Sequence, residues 1–352
     1  MSLKKKLVGL LAVVALVFSL AACSSGGGDK ASSGEKPKEN TPPKEEKSSY
    51  PEKMITIIAP AGAGGGLDTA ARTLAKVAAD TKLVEQSISV ENAPGGGQVL
   101  GMTDFVQKDK GNDYKLLLPS TPIVLNYIKK EGTAPVSFRD MTPLARLQVD
   151  YPVIAVNADS KFNDLKSFYD AIKADPNSIT IAGGGAPGTL DYLNAILLGE
   201  AHGIEGSQIK YTAYDGGGEA MTALVGGHAD ALTTDVSGVA EYLKAGKIKV
   251  LGVAAPERMS GDFADLVTYK EQGFDVEVAN WRGVFGPKDM SDDAKAFWEE
   301  KLKALSESDE WNAELAKMGV QNGYMNATDF LAALEKEEAD YFELYKKLGM
   351  AK

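Results

Sequence analysis

Apolar residues fall into three regimes along the chain. Residues 7–20 form a nearly unbroken apolar run behind Lys4, Lys5 and Lys6. Residues 24–49 hold no large apolar side chain. From Tyr50 onward, short apolar runs alternate with stripes at helical spacing. Ile55-Thr56-Ile57-Ile58 reads as a buried strand, and Leu67, Ala70, Ala71, Leu74 and Ala75 as the inner face of a helix. Further strands are expected at 88–90, 116–118, 153–156, 179–181, 209–211, 231–235 and 250–253. Helices are expected at 165–172, 190–201 and 239–243, among others. This alternation predicts an α/β fold with largely parallel sheets. Residues 291–352 read as helical and charged. Trp298, Leu302 and Leu305 lie on one packing stripe, and Phe330, Leu331, Leu334, Tyr341 and Leu344 on another.

What joins strand to helix is distinctive. Between Ile58 and Leu67 the chain reads Ala59-Pro60-Ala61-Gly62-Ala63-Gly64-Gly65-Gly66. A strand that passes through glycines into a helix leaves the first helical N–H groups open, and the helix dipole adds partial positive charge there. The product is an anion site without a cationic side chain, though a generic βα turn would look the same. The dinucleotide fingerprint G-x-G-x-x-G fails because Leu67 stands at its third glycine, and no Lys-Ser or Lys-Thr completes a phosphate loop. A small anion such as a carboxylate remains. Polar or glycine turns also follow the strands near Val90, Leu117, Ile181 and Leu232. Ligands of open α/β sheets bind beyond the carboxyl ends of strands, so the set predicts one cleft lined by backbone amides and hydroxyls.

The first two regimes describe an exported, tethered protein. Residues 1–22 have the basic start and apolar body of a secretory signal, too short to read as a membrane span. Its closing Leu20-Ala21-Ala22-Cys23 resembles the bacterial lipobox, which implies cleavage before Cys23 and lipidation of its thiol, as by palmitate. Cys23 is the only cysteine, so no internal disulfide is available. The alternative is an ordinary cleaved signal with a leftover cysteine. Residues 23–49 would be the lipidated cysteine and a disordered tether. The formal net charge is −11, and cleavage after residue 22 removes three lysines to leave −14. That acidic balance argues against nucleic acid as a partner.

Catalytic patterns are missing. A nucleophilic site needs a base in reach. The two histidines stand at a helix end (His202) and in a Gly-Gly-His-Ala turn (His228), and there is no G-x-S-x-G elbow or zinc spacing. No cofactor and no metal are expected. A lipid-anchored hydrolase of α/β fold is the rival reading.

With these motifs in place, the chain from Tyr50 onward resembles the extracytoplasmic solute-binding proteins of tripartite tricarboxylate transporters, the Bug receptors. The marks come in the family's order. They are Tyr50-Pro51-Glu52-Lys53 before Ile57-Ile58-Ala59-Pro60, then Ala63-Gly64-Gly65-Gly66-Leu67-Asp68 with Ala71-Arg72. Val90-Glu91-Asn92-Ala93-Pro94-Gly95-Gly96-Gly97 follows, with Ala93 and Gln98 departing from the usual pattern. Gly183 to Thr189 follows in turn, with Gly184 where the family usually has a hydroxyl and Pro187 where it has Gly. Tyr214-Asp215-Gly216-Gly217-Gly218, Leu224 to Asp230, and Trp281-Arg282-Gly283 complete the set. The resemblance implies a two-lobed periplasmic-binding-protein-like fold (type II, Venus flytrap), with lobe 1 at 50–151 plus 251–352, lobe 2 at 152–250, and crossings at 153–156 and 250–253. It implies a receptor, not an enzyme, on the extracytoplasmic face of the membrane. There it would pass a small carboxylate (di- or tricarboxylate, amino-acid-like or aromatic acid) to permease subunits. Carried over by position, the ligand contacts are Ala63, Gly64, Gly65, Ser120 and Thr121 from one lobe and Gly184, Gly185, Thr189 and Asp235 from the other. Ionised Asp235 would accept from an amine, amide or hydroxyl, or it caps a helix. Arg72 and Arg282 are either cationic contacts or ordinary ion-pair partners.

Overall fold

The computed structural model describes residues 49–352. The signal assigned to 1–22, Cys23 and nearly all of the 23–49 tether lie outside them. In chain order the elements are β1 (Ile55–Ala59), α1 (Gly66–Asp80), β2 (Ile88–Asn92), α2 (Val99–Lys108), β3 (Lys115–Leu117), α3 (Pro122–Ile128), β4 (Thr142–Asp150), β5 (Pro152–Asn157), α4 (Leu165–Ala174), β6 (Ile181–Gly183) and α5 (Leu190–Ala201). There follow β7 (Tyr211–Ala213), α6 (Gly217–Val225), β8 (Ala231–Asp235), α7 (Val236–Lys244), β9 (Ile248–Val253), β10 (Asn280–Gly286), α8 (Asp292–Glu307), α9 (Asp309–Met318), β11 (Gln321–Asn326) and α10 (Ala327–Lys347). No helix among the described residues is long and apolar enough to cross a membrane.

The strands make two sheets, a six-stranded one in the order β11-β4-β10-β3-β1-β2 and a five-stranded one in the order β7-β6-β8-β5-β9. Each is covered on both faces, because side chains alternate along a strand. Ile57, Leu116 and Leu118 enter the core under α1, α8 and α9. Their neighbours Ile58 and Leu117 enter the one under α2, α3 and α10. In the second sheet Ile154 and Val156 pack toward α4 and α5, and Val153 and Ala155 toward α6 and α7. The stretch between β9 and β10 belongs to these latter cores: Tyr269, Phe274 and Val278 sit in one, Met259, Phe263 and Leu266 in the other.

The expectation of largely parallel sheets is corrected to mixed ones. Pairs β1–β2, β1–β3, β6–β7 and β6–β8 are parallel. β4–β10, β4–β11, β5–β8 and β5–β9 are antiparallel. The reason is topological. A helical crossover over one sheet returns the chain parallel, whereas β5 and β10 are reached by passing from one sheet to the other. Only Tyr151 separates β4 from β5, so the chain changes sheets there. A second correction concerns residues 291–352, which are not wholly helical: the edge strand β11 lies at Gln321–Asn326. On the helical stripes, Trp298, Leu302, Leu305, Phe330 and Leu334 are buried, but Leu331 is 36% exposed.

Candidate functional site

The first glycine turn is shaped from beneath by Asp68. Its carboxylate accepts from the Gly64 N–H at 2.8 Å, from Asn92 Nδ2 at 2.9 Å and from Arg72 Nε at 3.0 Å. Those bonds, Arg72's first, hold Asp68 down at about 2. The carboxylate is 5% exposed, and its burial opposes this by less than the Arg72 and Gly64 bonds favour it. Gly64 takes φ +78°, which explains its lack of a side chain. Its amide is committed to Asp68, and the Gly65 amide to Gly62 O at 3.1 Å, so within this loop Ala63 lies nearest the expected role. Gly65 caps α1 without any side-chain acceptor, which leaves the first-turn N–H groups without one. Arg72 is half-exposed on α1 and pairs with Asp68.

Arg282 stands directly behind that helix start. A Cβ on Gly66 would lie 2.9 Å from Arg282 Nη2, so only glycine lets α1 begin against the guanidinium. Ser120 bridges to Arg282 across the strand edge. Gln98, in a left-handed conformation at φ +82°, pins Ser120 in place. Its Nε2 donates to Ser120 Oγ at 2.8 Å and its Oε1 accepts from Ser120 N–H at 3.0 Å. Thr121 is fully buried. Its hydroxyl donates to Ala279 O and accepts from Trp281 N–H, which makes it a staple between α3 and β10. The guanidinium of Arg282 donates to Gln148 Oε1 at 3.3 Å and pairs with Asp150 at 3.2 Å. Asp150 also accepts from the Ser237 hydroxyl and from the Ser237 N–H at the start of α7. A residue of the six-stranded sheet is thereby tied to a helix of the five-stranded one.

The second glycine turn is built the same way. Gly184 N–H donates to Asp191 Oδ2 at 2.8 Å and Tyr211 OH to Gly185 O at 2.7 Å. A Cβ on Gly184 would fall 2.5 Å from Gly217 N, so this turn and the Gly216-Gly217 turn are pressed together. Thr189 packs its side chain against Gly185. Asp235 occupies the N-cap position of α7 without making a capping bond. It accepts instead from Asn280 Nδ2 at 2.7 Å, across from β8 to β10. Its Oδ1 and the Asn280 Oδ1 are enclosed with no hydrogen-bond partner among the described residues. Burial pushes the Asp235 carboxyl well up, and the negative charges of Asp150 and Asp191 add to this. Burial likewise raises Asp150, and Asp191 to about 6.

Arg282 therefore joins Ser120, the first glycine turn, Ser237 and the neighbourhood of Asp235. Arg72 does not belong to that group. Asp150, Ser237 and Asn280 carry the geometry without any motif of their own, whereas Asp68 and Gln98 stand in or beside the glycine motifs. A buried guanidinium beside a helix N-terminus suits an anion, and the unpartnered oxygens of Asp235 and Asn280 nearby suit a polar group on the same molecule.

The model of the family "Tripartite tricarboxylate transporter family receptor" matches residues 70–350. The UPF0065 protein of the gbd 5' region of Cupriavidus necator is 29% identical over 307 residues, 86% of this chain and 90% of that protein. A ligand-free TctC solute-binding protein from Polaromonas is 27% identical with a TM-score of 0.66, over 85% of this chain and 100% of that one. MatC from Rhodopseudomonas palustris, solved with malate, has the same fold at 21% identity and a TM-score of 0.71, over 84% of this chain and 99% of that one.

Proposed function

Because the chain belongs to the tripartite tricarboxylate transporter receptor family, we propose that it captures a small carboxylate between two lobes, 50–151 plus 251–352 and 152–250, with 254–278 riding on the second sheet. It is a solute-binding receptor of α/β fold. The observation that carries the ligand class is the seat of Arg282 against Gly66. There one carboxylate would meet the first-turn amides of α1, the guanidinium and Ser120. At the other end Asn280 Oδ1 would accept from a hydroxyl or amine, beside the Asp235 carboxyl. Closure is favoured because one molecule bonds to both halves.

A hydrolase reading has no geometric support. Ser237 bonds to Asp150, but His202 is held by Asp170 at 2.7 Å and stacks on Phe274. His228 is exposed in its turn.

The proposed setting is the extracytoplasmic face of the membrane, with Cys23 lipidated, the 23–49 tether as spacer and permease subunits as the partner that receives the ligand. Metabolic labelling with a clickable palmitate tests the anchor; a label retained by Cys23→Ala overturns it. Thermal unfolding against a carboxylate panel, malate first, tests the ligand class. A ligand bound only by the native state raises Tm by mass action. A response from amides or sugars but from no acid would overturn the reading.

A further inference from the structure

A cavity of about 550 Å3 opens away from the glycine turns, in the size range of small-molecule sites. Trp281 and Arg282 are neighbours in β10 and point to opposite faces of the sheet. Arg282 faces the site above, and Trp281 faces this cavity, which lies between α10, the Tyr151 crossing and α5. Leu197, Leu334 and Leu344 make its apolar wall. Arg146 and Tyr151 stand on it opposite Glu337.

Arg146 is half-buried, and its Nε donates to Gly323 O at 2.7 Å. Among the described residues no carboxylate lies within ion-pairing distance of its guanidinium, and the Tyr151 hydroxyl has no hydrogen-bond partner. The nearest counter-charge is Glu337, which acts on Arg146 from beyond ion-pairing distance, so the partly desolvated guanidinium is only partly compensated and an anion entering the cavity would offset the remaining cost. Glu337 accepts from Trp281 Nε1–H at 2.6 Å, and burial raises its carboxyl to about 7, so near neutrality it spends much of its time uncharged. It therefore repels an acid less than an ordinary glutamate would.

We propose that this cavity is a second ligand site, which takes a small monocarboxylate with an apolar body, its carboxylate on Arg146 and Tyr151 and its body on the leucine wall. It is independent of the ligand that the glycine turns hold.

The indole N–H of Trp281 reports on it directly, because that group bonds to Glu337 at the cavity edge. In the 15N-labelled chain the three tryptophans give three indole signals, assigned through Trp281→Phe. Titration with benzoate should move the Trp281 signal saturably and leave Trp298 and Trp311 in place. Benzamide, the same shape without the charge, should bind at least about tenfold more weakly, the equivalent of one modest interaction. Arg146→Gln should weaken benzoate similarly, and the wild-type amide comparison stands even if that variant does not fold. An unmoved Trp281 signal up to about 10 mM benzoate, where a millimolar site is full, overturns the proposal. So does equal binding of benzamide, or a response kept in Arg146→Gln and lost in Arg282→Gln.

Discussion

Arg282 and Asp150 pair at 3.2 Å with side chains 6% and 0% exposed, at the point where the chain leaves one sheet for the other. Breaking a buried pair costs more than the pair is worth, because a lone charge is left without water. Arg282→Gln should therefore lower unfolding stability by about 3–5 kcal/mol. Asp150→Asn should cost at least as much, since the buried guanidinium left behind cannot give up its charge, whereas a lone Asp150 carboxyl can take a proton. Chemical denaturation of both single variants and the double variant checks this. Additive losses would mean that the two side chains are not coupled.

The acid response of the unliganded chain has a definite sign. Burial raises Asp191 to about 6 and Glu337 to about 7, and moves Asp150 and Asp235 the same way. A raised carboxyl binds its proton more tightly in the folded chain, so between its ordinary and folded values stability falls as pH rises. Asp68, held down at about 2, acts oppositely, but its stabilisation is lost only as pH falls below the ordinary 3.8 toward 2. The chain should therefore unfold at higher denaturant concentration at pH 5 than at pH 7.5. Asp191→Asn and Glu337→Gln should each reduce that difference. A midpoint that rises steadily from pH 5 to 7.5 would contradict the burial of these groups.

The structure supplies a reason for glycine at 184. A Cβ there would lie 2.5 Å from Gly217 N and 2.8 Å from Gly216 C, both backbone atoms that cannot swing away. Gly184→Ser should cost about 1–3 kcal/mol as overpacking and weaken ligand capture along with it. Gly216→Ala is the control: its φ of 168° is ordinary extended backbone and its Cβ would meet open space. Equal melting temperatures for the two variants would show that the turns are not pressed together.

The parts of this design differ in how plainly the chain announces them. β1 and α1 are legible because Ile55, Ile57 and Leu67, Leu74 keep the strand and helix periods in a short space. β6 and β7 begin only where the apolar runs at 179–181 and 209–211 end, because the strand continues through Gly183 and Ala213 instead of further apolar residues. β4 carries Pro143 and Arg146, and β11 reads Gln-Asn-Gly-Tyr-Met-Asn, so neither shows clean alternation; sheet pairing, not local preference, makes them strands. The glycine turns are visible as letters. The Asp150–Ser237 bond is not, since its partners are 87 residues apart and neither sits in a motif.

Loop 183–189 is also held from the far end of the molecule. Tyr345 is fully buried near the end of α10, and its hydroxyl donates to the carbonyl of Gly188. Gly188 sits at φ +84°, and a Cβ on it would meet Met350 at 3.0 Å, so the turn, α10 and the residues after it are packed as one piece. The backbone after α10 pairs with the end of α3 through Lys130 N–H to Met350 O at 2.8 Å. A helix that packs on the six-stranded sheet thus fixes a candidate ligand loop of the five-stranded one. Removing only the hydroxyl tests this with little change in volume. Tyr345→Phe should cost about 1 kcal/mol and leave the Gly188 carbonyl short of a donor. The loop would then sample more conformations, and bound ligand should dissociate several-fold faster with little change in association rate. Stopped-flow displacement of the ligand that first raises Tm measures both rates. Unchanged dissociation, with the stability loss present, would confine Tyr345 to packing.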